Sequence, residues 1–68
     1  MKLSTRNQLN GKVTGVALGG IMAEVTVDIG GQEIVAAITR GSAEALSLAE
    51  GDSVKVLIKA TEVMLGKE

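Results

Sequence analysis

The stretch from Ile21 to Ile29 sets the strictest limit on what this chain can fold into. Ile21, Ala23, Val25, Val27 and Ile29 alternate with Met22, Glu24, Thr26 and Asp28. Side chains of an extended backbone point to opposite faces in turn, so this period of two predicts a β-strand with one buried face. A lone strand leaves its N–H and C=O groups unpaired, so the rest of the chain must supply a sheet. Gly30-Gly31 follows directly and predicts a hairpin, because glycine adopts the positive φ of tight hairpin loops. A Gly-Gly pair can also line a phosphate loop, but no helix opening on Lys-Ser/Thr comes after it.

The flanking segments read as that sheet. From Leu9, the residues Leu9, Gly11, Val13, Gly15 and Ala17 share one face, and Asn10, Lys12, Thr14 and Val16 the other. Gly11 and Gly15 inside a strand predict a bulge, a bend or a close backbone approach. Leu18-Gly19-Gly20 is a turn. Glu33 to Thr39 is a third strand, with Ile34, Ala36 and Ile38 on one face and Val35 and Ala37 on a second apolar face. A strand apolar on both sides needs cover on both sides, and in so small a chain the second cover points to another subunit. Ser42 to Leu48 is the helical segment, with Ser42 as N-cap, Glu44 in the first turn, and Leu46 and Leu48 directed at the core. Glu50-Gly51-Asp52 makes a tight turn. Ser53 to Lys59 is a strand with Val54, Val56 and Ile58 inward and Leu57 on the opposite face. After a break at Ala60-Thr61, Val63-Met64-Leu65 predicts a short final strand. The order predicts a single domain over residues 1–68: an all-β, five-stranded OB-like barrel with one short helix, oligomerising through strand exchange or sheet packing. An SH3-like barrel is the nearest competing architecture.

Composition explains why oligomerisation belongs in that prediction. A chain of 68 residues buries a limited share of its surface and needs a further source of stability. With no Cys and no His, neither a disulfide nor a Cys/His zinc site can supply it. The chain is 46% hydrophobic yet has no aromatic residue, so its apolar surface is spread over small aliphatic groups available for self-association. The same absences bound the function. The commonest general base and the thiolate nucleophile are missing, and Ser, Lys and carboxylates form no catalytic constellation, so an enzyme is not expected. Without aromatics there is no stacking platform for single-stranded nucleic acid, and a net charge of −1 gives no broad attractive field for a polyanion. Glu24 and Asp28 lie on one strand face without the further ligands that Ca²⁺ or Mg²⁺ would need. After Lys2 and Leu3 the residues are polar, with no apolar run, and no segment approaches the ~20 apolar residues of a membrane span. The expectation is a cytoplasmic protein without membrane partners.

Two stretches concentrate hydrogen-bond donors. The first is Ser4-Thr5-Arg6-Asn7-Gln8-Leu9-Asn10-Gly11-Lys12-Val13, which sets a hydroxyl, a guanidinium and two amides just ahead of a strand. Ser4 and Arg6, two apart in extended chain, share a face, and the five-donor fork of Arg suits a tetrahedral oxyanion. The second is Lys59-Ala60-Thr61, an ammonium and a hydroxyl at a strand end. Thr39 and Ser42 flank the start of the helix, where backbone N–H groups and hydroxyls also suit an anion. Each group has an ordinary structural use as well: a solvated arginine, a strand-end lysine, a capping serine. The reading is that the first two stretches meet across a subunit boundary and hold a small oxyanion.

The opening stretch closely resembles the start of the molbindins, the small molybdate-binding proteins of the Mop family. Val56-Leu57-Ile58-Lys59-Ala60-Thr61-Glu62-Val63-Met64 is similar to that family's closing motif, and Ala37-Ile38-Thr39, Ser42, Leu46 and Glu50-Gly51-Asp52 fall in its order between the two. The resemblance implies an OB-like hexamer, a trimer of dimers, that binds molybdate and often tungstate between subunits, without catalysis and without a cofactor. By position it implies that Ser4, Arg6 and the backbone N–H of Thr5 come from one subunit, and that Lys59 and the backbone N–H of Ala60 come from a neighbour, with Thr39 and Ser42 as further hydroxyl donors. It implies a free-standing module for intracellular molybdenum storage or homeostasis. The alternatives are a nucleic-acid-binding OB module and a purely structural oligomerisation module.

Overall fold

The computed structural model describes residues 1–68 and is mostly β. Four strands run in the order β1 (Asn7–Leu18), β2 (Met22–Asp28), β3 (Glu33–Thr39) and β4 (Ser53–Ile58). A short helix, α1 (Arg40–Ala45), lies between β3 and β4, and a 3₁₀ turn (Ala60–Glu62) follows β4. The sheet order is β3-β2-β1-β4, antiparallel throughout, so the two edges are β3 and β4. The sheet curls into an OB-like half-barrel whose edges do not pair with each other.

β1 serves two partners. Its first half, Asn7–Lys12, pairs with Ile58–Ser53, and its second half, Lys12–Leu18, pairs with Asp28–Ala23. The ladder shifts between Val13 and Gly15, so Thr14 is the extra residue of a bulge. The bulge reverses the face assignment beyond it: Val13 is buried, but Val16 rather than Ala17 then packs on the core. At the same place Val13 donates its N–H to the Asp52 carbonyl at 2.9 Å and accepts the Gly51 N–H at 2.8 Å, tying the turn before β4 to the bulge. Gly11 answers a different demand. A Cβ there would collide with Val27 Cγ1 and stand 3.0 Å from the Asp28 carbonyl oxygen and 3.2 Å from Ile29 Cγ2.

The core is Val13, Val25 and Val27, with Val16, Ile29, Ala36, Ile38, Leu48, Val54 and Val56 half-buried around it. The expected alternation of β2 holds at Ala23, Val25 and Val27; Ile21 precedes the strand and is 80% exposed. In the hairpin, Gly30 and Gly31 both take φ +94°, and the Asp28 carboxylate accepts both of their N–H groups, at 3.1 and 2.8 Å.

Three expectations are corrected. The helix begins earlier than predicted: Thr39, not Ser42, is the N-cap, because its hydroxyl accepts the Ser42 N–H at 3.1 Å. Glu44 consequently sits one turn in and pairs with Arg40 at 3.4 Å, and Ala43 fills the core position expected of Leu46, which is 67% exposed. There are four strands rather than five. Val63-Met64-Leu65 pairs with nothing, and Met64 and Leu65 are 91% and 96% exposed. A segment this short becomes a strand only where a free edge receives it, and beyond the 3₁₀ turn it pairs with neither edge of its own sheet. No helix is long and apolar enough to cross a membrane.

The exposed area is large for the mass. A compact monomer of 6.9 kDa should expose about 4,000 Å², whereas this chain exposes 5419 Å². Val35 of β3 and Leu57 of β4 are among the uncovered apolar groups, as a strand face awaiting a second cover would be.

Gly11→Ala should therefore lower stability by about 1–3 kcal/mol, the usual range for forcing a methyl into packed surroundings. Gly15→Ala in the same strand meets nothing within 4 Å and should be far milder. Paired denaturant unfolding curves check this; equal midpoints for the two variants would contradict the close approach.

Candidate functional site

The segment carrying Ser4, Thr5 and Arg6 lies just outside β1, so no ladder bond holds it. Side chains hold it instead. The Thr5 hydroxyl donates to the Ile58 carbonyl at 2.9 Å, and the Asn7 amide donates to the same oxygen at 3.1 Å. The Gln8 amide donates back to the Thr5 carbonyl at 2.8 Å. Thr5 is half-buried, while Ser4 and Arg6, each at a bend of the arm, are exposed.

These bonds lay the N-terminal arm beside the exit of β4, where Lys59 caps the 3₁₀ turn and its carbonyl accepts the Glu62 N–H at 2.9 Å. Ser4, Thr5, Arg6, Lys59, Ala60 and Thr61 together line one open cleft of about 420 Å³. The two donor-rich stretches thus meet within a single chain, with no subunit boundary needed to bring them together. Thr61 belongs to the cleft as well, carried there by the turn.

The electrostatics of the cleft follow from its lining. It contains a guanidinium, an ammonium and hydroxyls, and no carboxylate. The ion pair of the fold joins Arg40 to Glu44; neither Arg6 nor Lys59 has an acidic partner. The backbone N–H groups of Thr5 and Ala60 donate to no backbone carbonyl. Such a lining attracts a small anion able to accept several hydrogen bonds at once. No three His, Cys, Asp or Glu side chains come together anywhere in the fold to bind a metal cation directly.

Thr39 and Ser42 are not part of this cleft. The Thr39 hydroxyl donates to Ser42 Oγ at 2.8 Å and caps α1. Thr39 pairs with Met22, next to the residue opposite Leu18, so it lies at the far end of β1 from Ser4 and Arg6. The amides of Asn7 and Gln8, which count as free donors in the sequence, are spent on backbone carbonyls.

Comparison with known proteins places this architecture. The TOBE domain model matches residues 3–65. Molybdenum-pterin-binding protein 1 of Clostridium pasteurianum is 46% identical over 96% of this chain and 97% of its own length. Other relatives of similar identity are longer, and the chain spans about a quarter of them, 26% and 24% in two cases. Among solved structures, a molybdate-binding protein from Sporomusa ovata superposes with a TM-score of 0.94 at 45% identity, covering 98% of this chain and 100% of that one. The molybdate-bound form of ModG, described as a cytoplasmic molybdate-binding protein, gives 0.84 at 39% identity over 88% of this chain and 43% of its own. The chain belongs to the TOBE domain family and, within it, to the small Mop-type proteins that its opening and closing motifs resemble.

Proposed function

We propose that this protein binds molybdate, and tungstate with it, as an intact oxyanion in the cleft between Arg6 and Lys59. The observation that carries the reading is the meeting of these two unpaired cations with Ser4 and Thr61 in one carboxylate-free cleft. Molybdate is a fully deprotonated dianion at neutral pH, so one guanidinium and one ammonium balance its charge. A lining without a carboxylate also works against phosphate, whose remaining O–H would find only hydroxyl oxygens to accept it, each then lost as a donor to the anion. Sulfate carries the same charge as molybdate, so the size of the cleft must separate those two. The matched structures of molybdate-binding proteins support the ligand class.

The role is binding for intracellular molybdenum storage or homeostasis, not catalysis, in the cytoplasm, by one Mop-type module spanning residues 1–68. Assembly is part of the proposal. The excess exposed area, the apolar groove bearing Leu46, Leu48, Val54 and Leu57, and the unpaired Val63–Leu65 segment support a homo-oligomer built by strand exchange or sheet packing, a hexamer as trimer of dimers. In such an assembly a neighbour covers the open cleft and excludes water, which strengthens its charged contacts. Thr39 and Ser42 can reach the oxyanion only from a neighbouring chain. Ligand binding and assembly then stabilise each other.

Arg6→Ala and Lys59→Ala should each weaken molybdate binding by at least about thirtyfold in isothermal titration, the cost of removing one member of a water-excluded charged pair. Both side chains are exposed in the single chain, so each variant should melt within about 4 °C of the parent. Parent-like affinity in both would contradict the site. Deleting residues 63–68 should shift the assembly to smaller species in analytical ultracentrifugation. An unchanged sedimentation profile would show that the segment plays no part in it.

A further inference from the structure

Ser4, Thr5 and Arg6 stand outside the sheet, yet a two-cation site works only if the separation of its cations is set. Strand pairing begins at Asn7 opposite Ile58, so it cannot set the arm that carries Arg6. Three side-chain hydrogen bonds converge there, and their acceptors share one feature. Thr5 and Asn7 both donate to the Ile58 carbonyl, which belongs to the peptide unit running directly into Lys59. Gln8 donates to the Thr5 carbonyl, which belongs to the peptide unit running directly into Arg6. A peptide unit is planar and rigid and ends at the next Cα, so each anchored carbonyl fixes the backbone position from which a cationic side chain extends. Thr5 lies in both connections, once as donor and once as acceptor.

We propose that the side chains of Thr5, Asn7 and Gln8 are positioning residues: a clasp that presets the backbone separation of Arg6 and Lys59, from which their cations reach the cleft, before any ligand arrives. The inference rests on the oxyanion reading of the cleft and adds to it. Without the clasp the arm is a short mobile lead-in, and the ligand must order it on binding. With the clasp that ordering is completed during folding, and more of the interaction appears as affinity. The two side-chain amides at the start of β1 thus have a task that is neither ligand contact nor ladder pairing.

The test compares Thr5→Val, Thr5→Ser, Gln8→Met and Arg6→Ala, titrated with sodium molybdate at several ionic strengths. Loss of one hydrogen bond in the clasp should weaken binding about five- to tenfold in Thr5→Val and in Gln8→Met, while Thr5→Ser, which keeps the donor, stays within about twofold of the parent. Both cations remain in the clasp variants, so the dependence of affinity on salt should match the parent; Arg6→Ala should flatten it. Backbone order parameters of the ligand-free protein should fall at Thr5 and Arg6 in Thr5→Val and stay unchanged at Val25 and Val27. Parent-like affinity in Thr5→Val and Gln8→Met, with Arg6→Ala still impaired, would overturn the clasp and leave the site standing. A Thr5→Ser variant as weak as Thr5→Val would overturn it too, as would a loss of order spread evenly over the sheet. Parent-like binding by Arg6→Ala would instead overturn the oxyanion reading itself.

Discussion

The double pairing of β1 is the constraint from which the rest of the fold follows. One strand of 12 residues pairs with β4 along its first half and with β2 along its second. A flat strand could not serve both and still curl the sheet around a core. The bulge at Thr14, at the junction of the two ladders, lets it do so, because an inserted residue bends the strand and increases its twist. Val13 beside the bulge is the most buried side chain, and its backbone holds the turn that leads into β4. Since the start of β1 lies against the end of β4, the residues just before the one and just after the other start out as neighbours. The cleft thus begins with register, since Asn7 opposite Ile58 brings the arm to the exit of β4, and the side-chain bonds of Thr5, Asn7 and Gln8 then hold Arg6 beside Lys59.

The same arrangement leaves the chain incomplete as a folding unit. Only Val13, Ala23, Val25, Val27 and Ala43 are buried, and both sheet edges are open. Unpaired edges in a soluble protein call for cover, and here they coincide with apolar groups on β3 and β4 and with an unpaired Val63–Leu65. The proposed oligomer and the proposed site depend on one another for this reason. A cleft open to water screens its two cations, whereas one closed by a neighbouring subunit does not. Binding energy at the cleft would therefore also contribute to subunit association.

How much of this the amino-acid pattern reveals depends on whether the deciding interaction is local. β2 is legible because its alternation, Ala23, Val25 and Val27, is a property of neighbouring residues. The reversal from Ala17 to Val16 is not, because counting in twos cannot detect an inserted residue; Gly15 is the one hint. Thr39 and Ser42 are both competent caps three residues apart, and the choice rests on which hydroxyl reaches the other's N–H. The fifth strand fails because a strand forms only by pairing with an edge, and Val63–Leu65 pairs with neither open edge of its own sheet. Ser4, Arg6, Lys59 and Thr61 stand out as donors in the sequence, but that Thr5 reaches Ile58 across 53 positions belongs to the fold alone. The tasks of Asn7 and Gln8 were hidden for the same reason: a free amide and a committed one look identical in sequence.

The most direct test of the central claim is native mass spectrometry of the protein with molybdate, tungstate, sulfate or phosphate added at equal concentration. The account predicts a homo-oligomer, a hexamer, that takes up several molybdate or tungstate ions and leaves phosphate unbound. A monomer carrying no molybdate, or an oligomer that takes up phosphate as readily, would contradict it.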